Sequence, residues 1–218
     1  MALTYPYPLA VLADRLPIEE VVWDIQRYDE VSGTGDARVW QAELAASLWT
    51  ADVILAADFH PAVKQIGALV RKLYGSQEAF MLDDPLSPYP QADPKGVALG
   101  ASVVTVKSVG VNRKSLSLKG LPEGYILTLA DKMQVLYASG GSLTFFCEVS
   151  ETINANGDGE TAEFEIFPHV PTGLAADDAV LLKRPACKMF VMPNSFKPGR
   201  ARGAMTEGAS FKVMERRR

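Results

Sequence analysis

Apolar and polar positions alternate along most of this chain, and a longer period holds over one stretch only. Residues 47–84 read SLWTADVILAADFHPAVKQIGALVRKLYGSQEAFMLDD. Trp49, Ala51, Val53 and Leu55 alternate with Thr50, Asp52 and Ile54, a period of two that predicts a strand with one apolar face. Val63, Ile66, Leu69, Val70 and Leu73 then recur at three-and-four spacing, which puts them on one stripe of a helix over about residues 60–74. Pro61 suits its first turn, Asp58 or His60 can cap it, and Gly75 supplies a left-handed residue to end it. Residues 77–82 return to extended chain.

The other segments read as strands around this helix. Residues 1–17 hold Pro6, Pro8 and Pro17 and are expected to form an extended arm with little internal pairing. In EVVWDIQRYDEVS, Val21, Trp23 and Ile25 oppose Asp24 and Gln26, the pattern of a half-buried strand. Gly33-Thr34-Gly35-Asp36 reads as a turn. RVWQAEL then reads as a second strand, with Trp40, Ala42 and Leu44 inward, and the Trp49 strand completes a three-strand meander. Trp23, Trp40 and Trp49 are expected in the core with Ile66, Val70 and Leu73.

From 83 to 100 the chain is DDPLSPYPQADPKGVALG, whose four prolines cannot sit in a sheet ladder, so a linker or fixed crossing is expected. Short strands follow in SVVTVKSVG, KSLSLKG, YILTLADKMQVLY, SLTFFCEVSETI, ETAEFEIFPHV and DAVLLK, with Gly or Asn turns between most of them, as in a small barrel. The last strands lie in ACKMFVMPNSF and RARGAMTEGASFKVMER, with Phe211 and Val213 on one face. Three strands and a helix make an undersized sheet, so these last strands are inferred to return to the first half. The expected architecture is mainly β. A split β-domain over 1–84 and 185–218 carries the helix, and a small β-barrel over 85–184 is inserted in it.

Composition changes this picture little. Of 218 residues, 48% are hydrophobic and 22% charged, ordinary for a globular protein. No apolar run reaches the roughly 18–20 residues that span a bilayer, and the N-terminus has no signal-peptide pattern, so synthesis in the cytoplasm without membrane contact is expected. Cys147 and Cys187 lie in apolar strands and read as buried thiols. The net charge of −4 is unevenly spread: residues 183–218 carry ten bases and two acids, leaving twelve bases and twenty-four acids elsewhere. Such separation can favour head-to-tail contact between copies or contact with an acidic partner, although a basic end that offsets an acidic body within one fold is the plainer reading. Lys197, Arg200, Arg202, Arg216, Arg217 and Arg218 are the candidate interface residues, and the final Glu-Arg-Arg-Arg is expected to be a solvated tail.

Catalytic and metal chemistry find little support. Asn154, Asn156, Asp158 and Glu165 follow calcium-loop spacing, but Asn154 replaces the usual Asp and no helices flank the loop, so a hairpin turn is the better reading. His60 and His169 stand in no zinc pattern. The pairs Glu19-Glu20, Asp83-Asp84 and Asp177-Asp178 read as solvated loop ends, and Ser139-Gly140-Gly141-Ser142 as a turn that holds no phosphate. KPGRARG, residues 197–203, can meet phosphates, but the acidic whole argues against nucleic acid. No metal, cofactor or catalysis is expected.

The order of SLWTADVIL, HPAVKQIGALVRKLYG, EAFMLDDPLSPYP, SLSLKGLPEGYILTLADKMQVLY, ETAEFEIFPHVPTGLAADDAVLLKRPACKM and RARGAMTEGASFKV resembles the distal tail proteins of long, non-contractile-tailed bacteriophages and related prophages and gene-transfer particles. The resemblance covers nearly the whole chain. It implies a β-sandwich or barrel belt domain with one helix, plus a small β-barrel. It further implies a virion protein that forms a ring, usually of six copies, at the distal end of the tail tube. Its partners would be the tail tube protein, the baseplate hub, and the tape measure protein or DNA in the lumen. The rival readings are a carbohydrate-binding tail module, another hub component, or a cell-wall enzyme.

Overall fold

A computed structural model of the chain describes residues 4–33, 35 and 38–217. Strands β1 (Ile18–Gly33), β2 (Val39–Leu55) and β3 (Asp58–Phe59) precede α1 (His60–Lys72) and β4 (Phe80–Asp83). There follow β5 (Val104–Val109), β6 (Ser115–Lys119), β7 (Ile126–Leu127), β8 (Lys132–Tyr137), β9 (Leu143–Val149), β10 (Ile153–Asn154), β11 (Phe164–Phe167) and β12 (Ala179–Leu181). β13 (Ala186–Val191), β14 (Lys197–Arg202) and β15 (Met205–Glu215) complete the chain. The protein is mainly β, with one α-helix and one closed barrel among the described residues. It divides into two compact units, Met1–Phe80 with Met189–Arg216, and Met81–Lys188 with Arg217–Arg218.

In the first unit β1, β2, β15 and β13 lie in that order in one antiparallel sheet, and β14 and β3 pair with β15. β15 returns to β2 in a register from Ser210 opposite Ile54 to Met214 opposite Thr50. Trp49, Val53, Leu55, Phe211 and Val213 are buried on one face, with Phe80 edge-on to Phe211 at 6.5 Å. The stripe of α1 joins this core through Val63, Ile66, Val70 and Leu73. Pro61 lies in the first turn as expected.

The helix cap differs from expectation. Phe59, in extended conformation, occupies the cap position and no side chain caps the helix. The Asp58 carboxylate instead accepts the Phe59 N–H at 2.6 Å. His60 is already helical, and its ring reaches Thr206 Oγ1 (2.7 Å) and the Gly203 carbonyl (3.0 Å), which ties α1 to the β14–β15 turn. Tyr74 and Gly75, with φ of 51° and 66°, together end the helix.

The N-terminal segment is not an unpaired arm. Tyr7 and Leu12 are fully buried, the Tyr7 N–H donates to Ala79 O at 3.0 Å, and residues Ala13–Arg15 form one 3-10 turn. Its prolines need only turns, and its apolar side chains supply the anchoring area.

The largest correction concerns β2. RVWQAEL and SLWTADVIL are one continuous strand, because residues 45–47 contain no glycine or proline to break it. Besides one shift at the start of β1, between Ile18 and Glu20, its register against β1 slips twice in mid-strand, between Gln26 opposite Leu48, Tyr28 opposite Ala45 and Asp29 opposite Glu43. The two mid-strand slips place two extra residues on β2, and an even number leaves the facing of side chains unchanged. Trp40 and Ala42 therefore lie on the face opposite Trp49 and Val53, not inward. Trp40 and Leu44 are 65% and 68% exposed, against 2% for Trp49. Trp23 is half-buried, edge-on to Trp49 at 6.2 Å. In the expected turn after β1, Thr34 and Asp36 lie outside the described residues.

The second unit is a barrel closed in the order β11-β6-β5-β12-β8-β9. Its interior is filled by Val106, Leu116, Leu118, Val135, Phe145, Cys147 and Phe164. The stretch YILTLADKMQVLY holds two strands, β7 and β8, divided where Ala130 takes a φ of 71°. The proline-rich stretch is more than a linker: Leu99 belongs to the barrel core, and buried Asp93 accepts the N–H groups of Val97, Ala98 and Leu99 at 2.9–3.1 Å. Cys147 and Cys187 are both buried.

The C-terminus is not a solvated tail. Glu215 is buried and accepts the Trp49 N–H at 3.1 Å. Arg216 donates to the carbonyls of Ser76 and Gln77, and the Arg217 guanidinium lies 5.9 Å from the Phe145 ring centre. Arg218 lies outside the described residues.

Candidate interaction surface

Of the six basic candidates, the fold gathers three. β14 carries Lys197, Arg200 and Arg202 exposed, paired with β15 through Lys197 opposite Ser210 and Arg200 opposite Glu207. Arg200 and Arg202 sit two apart on one strand, so both project from the same side. Both reach the same Glu207 carboxylate, at 3.1 and 3.6 Å. Two guanidinium groups sharing one carboxylate leave a net positive strand, and exposed pairs of this kind are worth about 0–1 kcal/mol. With Phe196, Pro198 and Gly208 they line an open groove of ≈ 740 Å³. Arg216 and Arg217 stand apart, engaged as described above.

Of the calcium-spaced residues, Asn156 and Asp158 lie in a turn and Asn154 and Glu165 in strands. Asn156 Oδ1 accepts the N–H groups of Asp158 and Glu160, at 3.0 and 2.9 Å. Asn154 pairs with Ile126 between β10 and β7, and exposed Glu165 lies on β11. No cluster of three or more His, Cys, Asp or Glu suited to a metal occurs among the described residues. Calcium is expected to give no heat in a calorimetric titration. Gly159 takes a φ of 73°, and a Cβ there would run into the carbonyl oxygen of Leu121. Gly159→Ala is therefore expected to cost about 1–3 kcal/mol of barrel stability, measurable by urea unfolding.

The acidic pairs separate. Glu19 and Glu20 are exposed within β1, not in a loop. Asp83 pairs with Arg184 at 2.8 Å, while Asp84 is buried and burial raises its pKa. Asp177 lies in a turn, paired with Lys119 at 2.6 Å. His169 is exposed, edge-on to Phe167 at 5.9 Å.

One surface escaped the sequence reading. The outer half of the β1–β2 hairpin lies beyond the reach of β15, whose pairing with β2 covers residues 50–54. Val31, Val39, Trp40 and Leu44 are exposed there. The signal was legible as a change of phase, apolar at 40, 42 and 44 but at 49, 51, 53 and 55, with no turn residue between. On the same face as Trp40, a second groove of ≈ 340 Å³ runs over Ile54, edged by Asp52, Ser195, Lys197, Ser210 and Lys212.

Fold and surface together define a mainly β protein of two units, with an exposed hairpin and a basic strand in the first. Compared with models of known protein families and with curated proteins, the chain matches none. Among the described residues no helix is long and apolar enough to cross a membrane.

Proposed function

We propose that this chain is a structural tail-tip protein of a long-tailed phage or related particle, acting by assembly into a ring at the distal end of the tail tube. The observation that carries the reading is the exposed outer half of the β1–β2 hairpin. A two-stranded ribbon is marginal alone, and an apolar set there calls for a protein partner. The ordered sequence resemblance is the support for the kind of particle, and the combination of a one-helix β unit with a small barrel is consistent with it. The ring would join the tail tube protein to the baseplate hub. The basic β14 is suited to acidic neighbours or to passing DNA without sequence readout. No catalytic step is assigned. Purified protein imaged by electron microscopy is expected to show rings, six-fold by the resemblance, and particles that stay compact and single at every concentration would overturn the reading.

A further inference from the structure

One strand, β2, carries apolar side chains on opposite faces in its two halves. In the inner half Trp49, Ala51, Val53 and Leu55 are buried in their own unit, whereas Trp40 and Ala42 point the other way and lie opposite Ser32 and Glu30 across the ribbon. An apolar alternation left exposed in its own fold marks an interaction surface. The groove over Ile54 offers what that face lacks. Its floor is apolar, and Lys197 at its rim has no ion-pair partner among the described residues, while Lys212 pairs with Asp52 at 2.6 Å.

Charge selects the occupant. Residues 18–46 hold seven acids and two bases, a net of −5. Residues 194–212 hold four bases and one acid, a net of +3. Each segment is therefore the electrostatic complement of the other on a second copy of the same chain.

We propose that the outer β1–β2 hairpin of one copy docks on the sheet face of a second copy, with Trp40 and Leu44 over the Ile54 groove and Glu30 against Lys197. The proposal rests on the assembly reading above and names its contact. Where each copy gives its hairpin to the next, the contacts run head to tail and close a ring if the rotation from copy to copy completes a full turn; where two copies exchange hairpins, they close a pair.

The test uses the full chain. Leu44→Cys and Ser210→Cys proteins, prepared separately, are mixed and mildly oxidised; buried Cys147 and Cys187 are shielded from the reaction. The expected result is a disulfide-linked species in the mixture that neither protein forms alone. Glu30→Lys and Lys197→Glu are each expected to weaken self-association about tenfold, as loss of a close charge pair does, and the double variant to restore it. Self-association without the mixed crosslink, and indifferent to both charge changes, would overturn this docking and leave the ring reading standing. A crosslinked species that closes as a pair would keep the docking and overturn the ring. A protein that stays single at every concentration would overturn both.

Discussion

Trp49→Ala is expected to destabilise the first unit by about 3–5 kcal/mol, whereas Trp40→Ala should change the monomer by no more than ~0.5 kcal/mol. The two tryptophans share one strand, and composition or local pattern would rank them alike. Trp49 is 2% exposed and edge-on to Trp23, and buried Glu215 accepts its backbone N–H, which fixes the strand beside the ring. Removing its ring opens a cavity that the surrounding sheet cannot fill. Trp40 is 65% exposed on the opposite face, so its removal deletes little buried area. Urea unfolding at a concentration where the protein is single separates the cases, and equal losses would refute the facing of β2 described here.

Asp93→Asn is expected to destabilise the barrel unit near neutral pH and to blunt its loss of stability in acid, while Asp84→Asn does neither. Burial alone would raise Asp93, but the N–H groups of Leu99, Ala98 and Val97 and the Tyr125 hydroxyl outweigh it and hold the carboxyl below its ordinary range. The folded state thus favours the ionised form. That stability is complete above the unfolded carboxyl value near ~3.9 and is lost as the pH falls through the lower folded value. Asparagine replaces one acceptor oxygen with a donor and leaves a buried N–H group unmet. Asp84 has the opposite sign: burial raises it, against the Leu86 N–H and the Lys132 charge. Its ionised form is penalised, and the penalty fades as the pH falls through its folded value. Asp84→Asn keeps an acceptor for Leu86 and removes the charge, so stability at neutral pH should hold or rise. Melting curves from neutral pH down to about pH 2, through the range below the unfolded carboxyl value, follow both variants.

Local periodicity carried much of the architecture. The stripe Val63, Ile66 and Val70 identified the helix, and short alternating runs with Gly and Asn turns identified most of the barrel strands. What escaped were features set by distant partners. Tyr7 looks like a loop residue until Ala79 and Phe80 come beside it. Glu215 reads as the start of a basic tail until β15 delivers it to Trp49. His60 reads as a cap because its link to Thr206 spans most of the chain. Trp40 was misplaced for another reason: alternation tells that a face is apolar, not whose core covers it. Of the six basic candidates, strand spacing put Arg200 and Arg202 on one side of β14 and Lys197 on the other, while the return of β15 engaged Arg216 and Arg217 separately.

The central claim is that the outer hairpin is an assembly surface. Sedimentation velocity of the wild-type chain beside Trp40→Glu tests it most directly. The wild type is expected to form species several times its 23.6 kDa mass as concentration rises, and the folded variant to remain at that mass. Identical behaviour of the two proteins, both assembled or both single, would contradict it.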